Sequence, residues 1–268
     1  MFLFLVARTP ICFRTPIREK LWEISKKSLI NQTSKNWKAI IIGDVSGENL
    51  DPDFFITLDY DQYSKQEKLY KALEYINDQS DINPKYLIRF DDDDYFSSRA
   101  LSFFELLGRP YDCYFDKYHT YVDLVYLKIS HKKNSWIPNT AVHKYEHAIK
   151  KCGPSKTPLI VQDHSVYWHI YYRDKDIYLT SLKNSLYYRI LTPFSITAGM
   201  NLTGNIDWNK YLLYIKGYGP WINYESKNPF YNDLLEISNE FFKTKPVLNH
   251  IHWFVNKLKY TRKIVLLK

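Results

Sequence analysis

The chain has 268 residues, 45% of them hydrophobic and 25% charged, with a formal net charge of +8 at pH 7. This length provides for one sizeable core, and the composition is that of an ordinary globular enzyme. The positive charge favours a phosphorylated substrate, an anionic membrane surface or nucleic acid as a partner. Zinc-finger spacing and long basic tracts are both absent from the sequence, so we expect no nucleic-acid partner.

Cysteine content and hydropathy also exclude several classes of protein. Three widely spaced cysteines, Cys12, Cys113 and Cys152, argue against a disulfide scaffold and are compatible with a cytoplasmic location. No stretch approaches the roughly 20 apolar residues of a membrane span. The apolar residues 1–6 are followed at once by Arg8, which indicates a buried strand rather than a signal peptide.

In the first 97 residues, strand and helix patterns alternate. Apolar runs predict strands at residues 1–7, 37–43, 53–58 and 85–90. Thr15-Pro16 predicts the start of one helix, and Ser64 with Glu67 forms a capping-box pattern at the start of another, over residues 64–78. This order predicts an α/β fold with a mostly parallel, Rossmann-like sheet flanked by helices.

The pattern changes after residue 97. We expect helices over residues 98–107, 141–151, 162–172 and 233–242, antiparallel strands within 111–129, and two strands within 177–197. The expected domains are a catalytic domain over residues 1–200, divided into a nucleotide-sugar-binding half (1–97) and an acceptor half (98–200), and a C-terminal helical extension over residues 201–268.

Four consecutive aspartates, Asp91 to Asp94, follow the predicted strand at 85–90. Adjacent carboxylates repel one another, so a positive charge must lie close to them. A divalent cation, Mn²⁺ or Mg²⁺, is the economical choice, because hard cations prefer carboxylate oxygens. In an extended segment, Asp91 and Asp93 would project to the same side and could share that cation. Ligands of parallel sheets bind beyond the carboxyl ends of the strands, where this run is expected to lie.

Three segments resemble the family 2-like glycosyltransferases of the GT-A fold. Residues 87–95 (LIRFDDDDY) are similar to that family's apolar strand with its DxDD motif, and residues 40–46 (IIIGDVS) to its second motif. Residues 7–9 (ART) stand where the family has its first motif. Within the family, bacterial proteins described as rhamnosyltransferases look most similar at this place. The resemblance implies transfer of a sugar from a nucleotide-diphosphate sugar to a hydroxyl of a glycan or a lipid-linked acceptor, in surface polysaccharide synthesis.

The resemblance also assigns roles to individual residues. It implies that Asp93 is the principal metal ligand, and that Asp91 lies near the metal or the ribose. It implies that Asp92 contacts the nucleotide or its sugar, and that Asp44 accepts a hydrogen bond from the base. In the same way, Arg8 and Thr9 would line the nucleotide pocket.

Inverting members of the family use a general base, and Asp163 in the sequence Gln162-Asp163-His164 is the best match. A base at this position would remove the proton of the acceptor hydroxyl as its oxygen attacks the anomeric carbon. Two alternatives stay open: Asp163 as a helix N-cap without a chemical role, and His164 as the base.

The basic, partly apolar residues 250–268 suit peripheral contact with the inner face of an anionic membrane, or packing on the core with a solvated basic face. For the whole chain, the alternatives are a sugar nucleotidyltransferase and a non-catalytic nucleotide- or carbohydrate-binding protein. A nucleotidyltransferase typically has a glycine-rich loop near its N-terminus, whereas the first glycine here is Gly43.

Overall fold

The computed structural model describes residues 1–62, 64–133, 141–162, 166–195 and 206–245, with only the backbone at 166 and 167. The chain forms two compact units. The first contains residues 1–119 and 133–189, and the second contains residues 120–132 and 190–268. The predicted domain boundary at residue 200 stays a prediction.

The first unit is built on a seven-stranded sheet in the order β3-β2-β1-β4-β9-β6-β12. Six of its strands run parallel and only β9 runs antiparallel. The strands of this sheet are β1 (Phe2–Ala7), β2 (Trp37–Gly43), β3 (Phe55–Asp59), β4 (Tyr86–Asp91), β6 (Cys113–Asp116), β9 (Val142–Lys144) and β12 (Ile177–Thr180). The other strands among the described residues are β5 (Tyr95–Phe96), β7 (Tyr118–Asp123), β8 (Lys128–Lys133), β10 (Lys151–Cys152), β11 (Thr157–Pro158), β13 (Tyr187–Leu191) and β14 (Ile222–Asn223).

The described helices are α1 (Pro16–Ile30), α2 (Lys65–Asp78), α3 (Ala100–Leu106), α4 (Tyr145–Ala148), α5 (Val166–Tyr172), α6 (Trp208–Lys216) and α7 (Tyr231–Phe241). Short 3₁₀ turns occur at Ile11–Phe13, Leu159–Val161 and Leu182–Asn184. Ser64 caps α2 as predicted, since its hydroxyl accepts a hydrogen bond from the Glu67 amide. No helix in the described ranges has both the length and the apolarity needed to cross a bilayer.

Every residue of β1 is buried, as expected for a strand at the centre of a sheet covered on both faces. Because side chains alternate along a strand, Phe2, Phe4 and Val6 face one core and Leu3 and Leu5 face the other. Helices α1 and α3 pack against the first of these faces and α2 packs against the second. The predicted α/β class, a mostly parallel, Rossmann-like sheet flanked by helices, is therefore confirmed, and it is consistent with the GT-A architecture.

The helix predicted over residues 141–151 is wrong for its first part. Val142 to Lys144 form β9, which fits between β4 and β6, and only the four residues of α4 are helical. Val142 and His143 are fully buried there. Pairing with two neighbouring strands overrides the local helical preference of this segment.

The described residues of the second unit include strand β14, most of β7 and β8, and the helices α6 and α7. Strand β14 pairs with β8, matching Ile222 with Ile129. The hydroxyl of Tyr211, on α6, donates to the buried Asp123 carboxylate over 2.7 Å. Burial raises the pKa of Asp123 to about 6, although Tyr211 and two backbone amides partly offset this effect.

Candidate functional site

The acidic run lies at the carboxyl edge of the main sheet. Asp91 is the last residue of β4 and pairs in register with Ala7 at the end of β1. Asp92 and Asp93 form a turn that leads into β5, so the segment is not extended as expected. The turn nevertheless divides the four carboxylates into two partly exposed ones and two buried ones. The side chains of Asp91 and Asp93 are 23% and 24% exposed, whereas Asp92 and Asp94 are buried.

Asp92 is held by the segment that follows β1. Its carboxylate accepts hydrogen bonds from the backbone amide of Thr9 over 2.7 Å and from the Thr9 hydroxyl over 3.0 Å. The guanidinium of Arg8 pairs with it at 2.9 Å. Both oxygens of Asp92 are thus engaged inside the protein, and these bonds fix the turn against the end of β1.

Arg8 is itself buried, with only 1% of its side chain exposed. It pairs with Glu19 at 3.1 Å and approaches Glu48 at 3.6 Å, and its guanidinium lies over the Trp22 ring. A buried guanidinium needs such partners, because the desolvation of an unpaired charge is costly. The expected pocket-lining residues Arg8 and Thr9 are therefore placed beneath the site, in contact with Asp92.

Asp94 is held on the opposite side of the turn. The hydroxyl of Tyr187 donates to its carboxylate, and the hydroxyl of Ser25 donates to its backbone carbonyl. Burial, together with the negative charges of Asp93 and Asp91, raises the pKa of Asp94 well above its usual range. The raised pKa favours the neutral form of Asp94, which reduces the repulsion within the run.

Asp91 is paired with Lys65, the first residue of α2. Burial opposes ionisation of Asp91, but the positive charges of Lys65, Arg89 and Arg189 outweigh it and lower the pKa of this carboxyl below its usual range. Asp91 therefore carries a full negative charge at neutral pH, which is the state that a cation ligand requires.

Asp93 approaches Arg18 of α1, with 3.4 Å between guanidinium nitrogen and carboxylate oxygen. Arg18 also donates to the Thr9 hydroxyl over 2.9 Å. Burial is the main cause that raises the pKa of Asp93, and the neighbouring negative charges of Asp92 and Asp91 raise it further. The positive charge of Arg18 acts in the opposite direction but does not outweigh them. A further cation beside Asp93 would reverse this effect and favour the ionised carboxylate.

Asp44 follows the neighbouring strand, β2, at the same edge. Its carboxylate accepts from the amide and the hydroxyl of Ser46 over 2.9 and 2.6 Å, and these bonds lower its pKa. The guanidinium of Arg14 donates to the Asp44 carbonyl over 2.6 Å. Gly43, just before it, has φ +144°, and a Cβ there would lie 2.8 Å from the Cβ of Arg8. The positive φ and the close approach of Arg8 thus explain why glycine stands at this position.

Asp163 and His164, and with them the choice of general base, lie outside the described residues, as do residues 250–268. Gln162, which precedes Asp163, is buried and well anchored. Its side-chain amide donates to the Cys152 and Thr157 carbonyls over 2.9 and 2.6 Å. Its own carbonyl accepts from Arg89 of β4 over 3.0 Å. The chain entering the predicted base position is therefore tied to the strand that carries Asp91.

Asp91 and Asp93 are the members of the run that could hold a divalent cation, because their side chains are partly exposed. In the part of the chain that the structure describes, the acidic run does not bring three potential ligand atoms within 4.8 Å of one another. A dedicated cage of protein ligands is therefore absent from these residues. Mg²⁺ is commonly held by only one or two carboxylates together with substrate phosphates, and two partly exposed carboxylates match that pattern.

Sequence reasoning required positive charge near the run but did not identify its source. Part of that charge comes from two helices, since Arg18 lies on α1 and Lys65 at the start of α2. Arg8, after β1, and two strand residues, Arg89 and Arg189, add to it. Arg18 sits at a buried position of α1, next to Ile17 and near Leu21. An arginine on the apolar face of a helix is a signal that could have indicated it, because such a charge needs a partner.

Comparison with known proteins identifies neither a family nor a relative by sequence: no family model and no curated protein matches the chain. Among solved structures, S. aureus TarS in complex with UDP-GlcNAc has 13% identity and a TM-score of 0.45, covering 93% of this chain and 74% of that one. Rv0371c from Mycobacterium tuberculosis has 8% identity and a TM-score of 0.42, covering 81% and 98%. A nucleoside-diphosphate-sugar pyrophosphorylase from Vibrio cholerae has 12% identity and a TM-score of 0.40, covering 71% and 92%. Likenesses at this level support no conclusion about activity.

Proposed function

We propose that the protein is a metal-dependent glycosyltransferase that uses a nucleotide-diphosphate sugar as donor. One observation carries the proposal: at the carboxyl edge of a parallel sheet, Asp91 and Asp93 face outward while Asp92 and Asp94 are fixed in the interior. This edge is where ligands of open α/β sheets bind. Contacts inside the protein hold Asp92 and Asp94 and so fix the backbone of the run. The carboxylates of Asp91 and Asp93 are thereby kept in a fixed position for a cation.

In this proposal Asp91 and Asp93 hold Mn²⁺ or Mg²⁺ together with the diphosphate of the donor. The bound cation would supply charge neutralisation for the departing nucleoside diphosphate. Lys65 and Arg18, which pair with these carboxylates, would then donate to phosphate oxygens. Asp92 and Arg8 act beneath them as positioning residues.

We extend the proposal to an inverting transfer onto a hydroxyl of a glycan or a lipid-linked acceptor, with Asp163 as the base. The enzyme would then be rhamnosyltransferase-like and act in surface polysaccharide synthesis. Support for this part comes from the sequence motifs and from the anchored Gln162 carbonyl. The anomeric configuration of the product, read by NMR, tests it. Retention of configuration would contradict the role of Asp163.

The experiment that tests the main proposal follows bond cleavage in a panel of UDP-, GDP- and dTDP-sugars with Mn²⁺ or Mg²⁺. A transferase breaks the bond between the anomeric carbon and the diphosphate, so a nucleoside diphosphate and a sugar are released even when water is the acceptor. A nucleotidyltransferase given pyrophosphate instead yields a nucleoside triphosphate and a sugar 1-phosphate. A non-catalytic binding protein yields neither pair.

We expect nucleoside diphosphate release that requires the metal and is lost in Asp93→Asn. The matched control is Asp81→Asn, which removes an exposed aspartate five residues before β4. Formation of sugar 1-phosphate, or metal-dependent binding without cleavage of any donor in the panel, would contradict the proposal.

A further inference from the structure

A second group of potential metal ligands lies at the opposite edge of the main sheet, the amino-terminal edge, where its parallel strands begin. Asp112 precedes β6, and Glu146 and His147 belong to α4, which follows β9 directly. Lys144, the last residue of β9, pairs in register with Tyr86 at the start of β4, whereas Asp91 is at the end of that strand. The group is therefore separated from the acidic run by the full length of β4.

One atom from each of these three side chains lies within 4.8 Å of the other two. His147 Nε2 is 3.0 Å from a carboxylate oxygen of Asp112 and 3.7 Å from one of Glu146. Within the described residues, this is the group in which three such atoms converge. We propose that it binds a zinc ion.

Both ring nitrogens of His147 are directed at polar groups. Its Nδ1 lies 2.8 Å from the Tyr171 hydroxyl, which fixes the ring. Its Nε2 is buried and lies 3.0 Å from a carboxylate oxygen of Asp112. Metal-binding histidines commonly have this arrangement, with the second ring nitrogen held by a neighbouring polar group.

The distances agree with zinc coordination. With zinc bonds of about 2.0–2.1 Å, a nitrogen–oxygen separation of 3.0 Å corresponds to an angle at the metal of about 95°, and 3.7 Å to about 125°. These two angles lie on either side of the tetrahedral value. In this geometry the metal lies off the line between Nε2 and the Asp112 oxygen. Water would supply the fourth ligand.

The mixed nitrogen and oxygen ligands select the class of metal. Imidazole favours zinc and the later transition metals, whereas sites made only of carboxylates suit Mg²⁺ and Mn²⁺. The other oxygen of Asp112 accepts from the backbone amide of Asp176 over 3.0 Å, just before β12. A zinc ion here would join α4 to the starts of β6 and β12, so its expected role is to stabilise this edge of the sheet.

Lys144 competes for the same carboxylates. Its ammonium lies 2.7 Å from Glu146 and 3.8 Å from Asp112. Zinc must displace this charge from Glu146, whose side chain is 60% exposed and can rotate. Removal of the ammonium in Lys144→Met should therefore strengthen zinc binding, an effect that a simple ion-pair network would not produce.

The test is calorimetric titration of the full-length, chelator-treated protein with ZnCl₂, with Co²⁺ absorption as a second readout of nitrogen coordination. We expect one zinc site that weakens at least tenfold in His147→Gln and in Glu146→Gln and strengthens in Lys144→Met. The change at Glu146 affects an exposed side chain, so it tests the site even if His147→Gln fails to fold. His169→Gln, on α5, is the matched histidine control and should bind like the parent.

Absence of zinc binding by the parent protein would overturn the proposal. Zinc binding that is equal in the parent, His147→Gln and Glu146→Gln would also overturn it, because the ion would then lie elsewhere, for instance on Asp91 and Asp93. Since Mn²⁺-dependent donor cleavage does not enter this titration, the result is independent of the proposed enzymatic activity.

Discussion

The two edges of the main sheet place carboxylates beside positive side chains in different ways. At the carboxyl edge, four adjacent aspartates are divided by a turn into two that face outward and two that are held inside. At the opposite edge, Asp112, Glu146 and His147 come from separate segments and converge. At the carboxyl edge, two carboxylates are accessible and several positively charged side chains surround them. The group at the opposite edge has a histidine nitrogen among its ligands.

This difference shows how each edge is suited to its proposed ligand. Asp91 and Asp93 are paired with Lys65 and Arg18, so a cation that binds there competes with two positive side chains and is favoured when it brings phosphates of its own. At the other edge a single ammonium, that of Lys144, competes. A resident metal is therefore expected only at the amino-terminal edge of the parallel strands.

The largest effect is expected for Asp93→Asn. Loss of one metal ligand should lower metal-dependent release of nucleoside diphosphate by about 10²–10³-fold, in the range of other electrostatic contributions to catalysis. The midpoint of urea unfolding should not fall, because the change removes a charge from beside Asp92 and Asp91. Activity within tenfold of the parent would show that the outward-facing aspartates do not form the site.

Next in size is the effect of Asp92→Asn on stability, which tests the inward-facing half of the run. The change leaves the buried guanidinium of Arg8 without its partner at 2.9 Å, while Glu19 and Glu48 stay nearby. We expect a loss of about 3 kcal/mol in the free energy of unfolding, measured by urea denaturation. Asp81→Asn is the exposed control. A loss no larger than that of the control would mean that Asp92 does not anchor the turn.

Gly43→Ala probes the close packing between β1 and β2 beneath the same edge. Both Gly43 and Gly47 have positive φ angles, but only at Gly43 would a Cβ meet another atom, the Cβ of Arg8 at 2.8 Å. Gly47→Ala therefore measures the backbone cost alone, about 1–2 kcal/mol. Gly43→Ala should cost more by roughly 1 kcal/mol or above, since overpacking adds to it. Equal losses in urea denaturation would exclude the contact as the reason for glycine.

The last effect concerns the pH dependence of stability through Asp116, a carboxyl at the same edge, at the end of β6. Burial raises its pKa to about 7, despite hydrogen bonds from Thr180, Leu186 and Tyr187. In the unfolded chain its pKa is about 3.9. Between these values the folded protein retains a proton that the unfolded chain releases, so stability should fall as pH rises from about 4 to 7. Asp116→Asn should flatten this dependence in denaturation measurements, and an unchanged slope would contradict a protonated Asp116.

Much of the carboxyl edge could be predicted from the sequence because its elements are local. The buried strands before residues 8, 44 and 91 are mostly apolar runs, and parallel strands end at a common edge. The partners of the run could not be predicted in the same way. Arg18 and Lys65 reach it only through the packing of two helices. The apolar face of α1 marks Arg18 as an inward-facing charge, but it does not specify the residue with which Arg18 pairs.

The group at the opposite edge was even harder to predict from the sequence. Asp112 and His147 are 35 positions apart in the chain, and they meet because β9 fits between β4 and β6. Residues 141–151 have a helical pattern, so the predicted helix concealed the strand that brings them together. Strand pairing between segments distant in sequence is the part of this fold that local preference does not encode.

The central claim is that Asp91 and Asp93 hold a divalent cation together with a diphosphate. Electron paramagnetic resonance of Mn²⁺, titrated with protein in the presence and absence of UDP or GDP, tests it most directly. We predict that one of these nucleotides increases the bound fraction of Mn²⁺ in the parent protein and in Asp81→Asn. In Asp93→Asn the nucleotide should produce no such increase. An equal bound fraction in Asp93→Asn and the parent would contradict it.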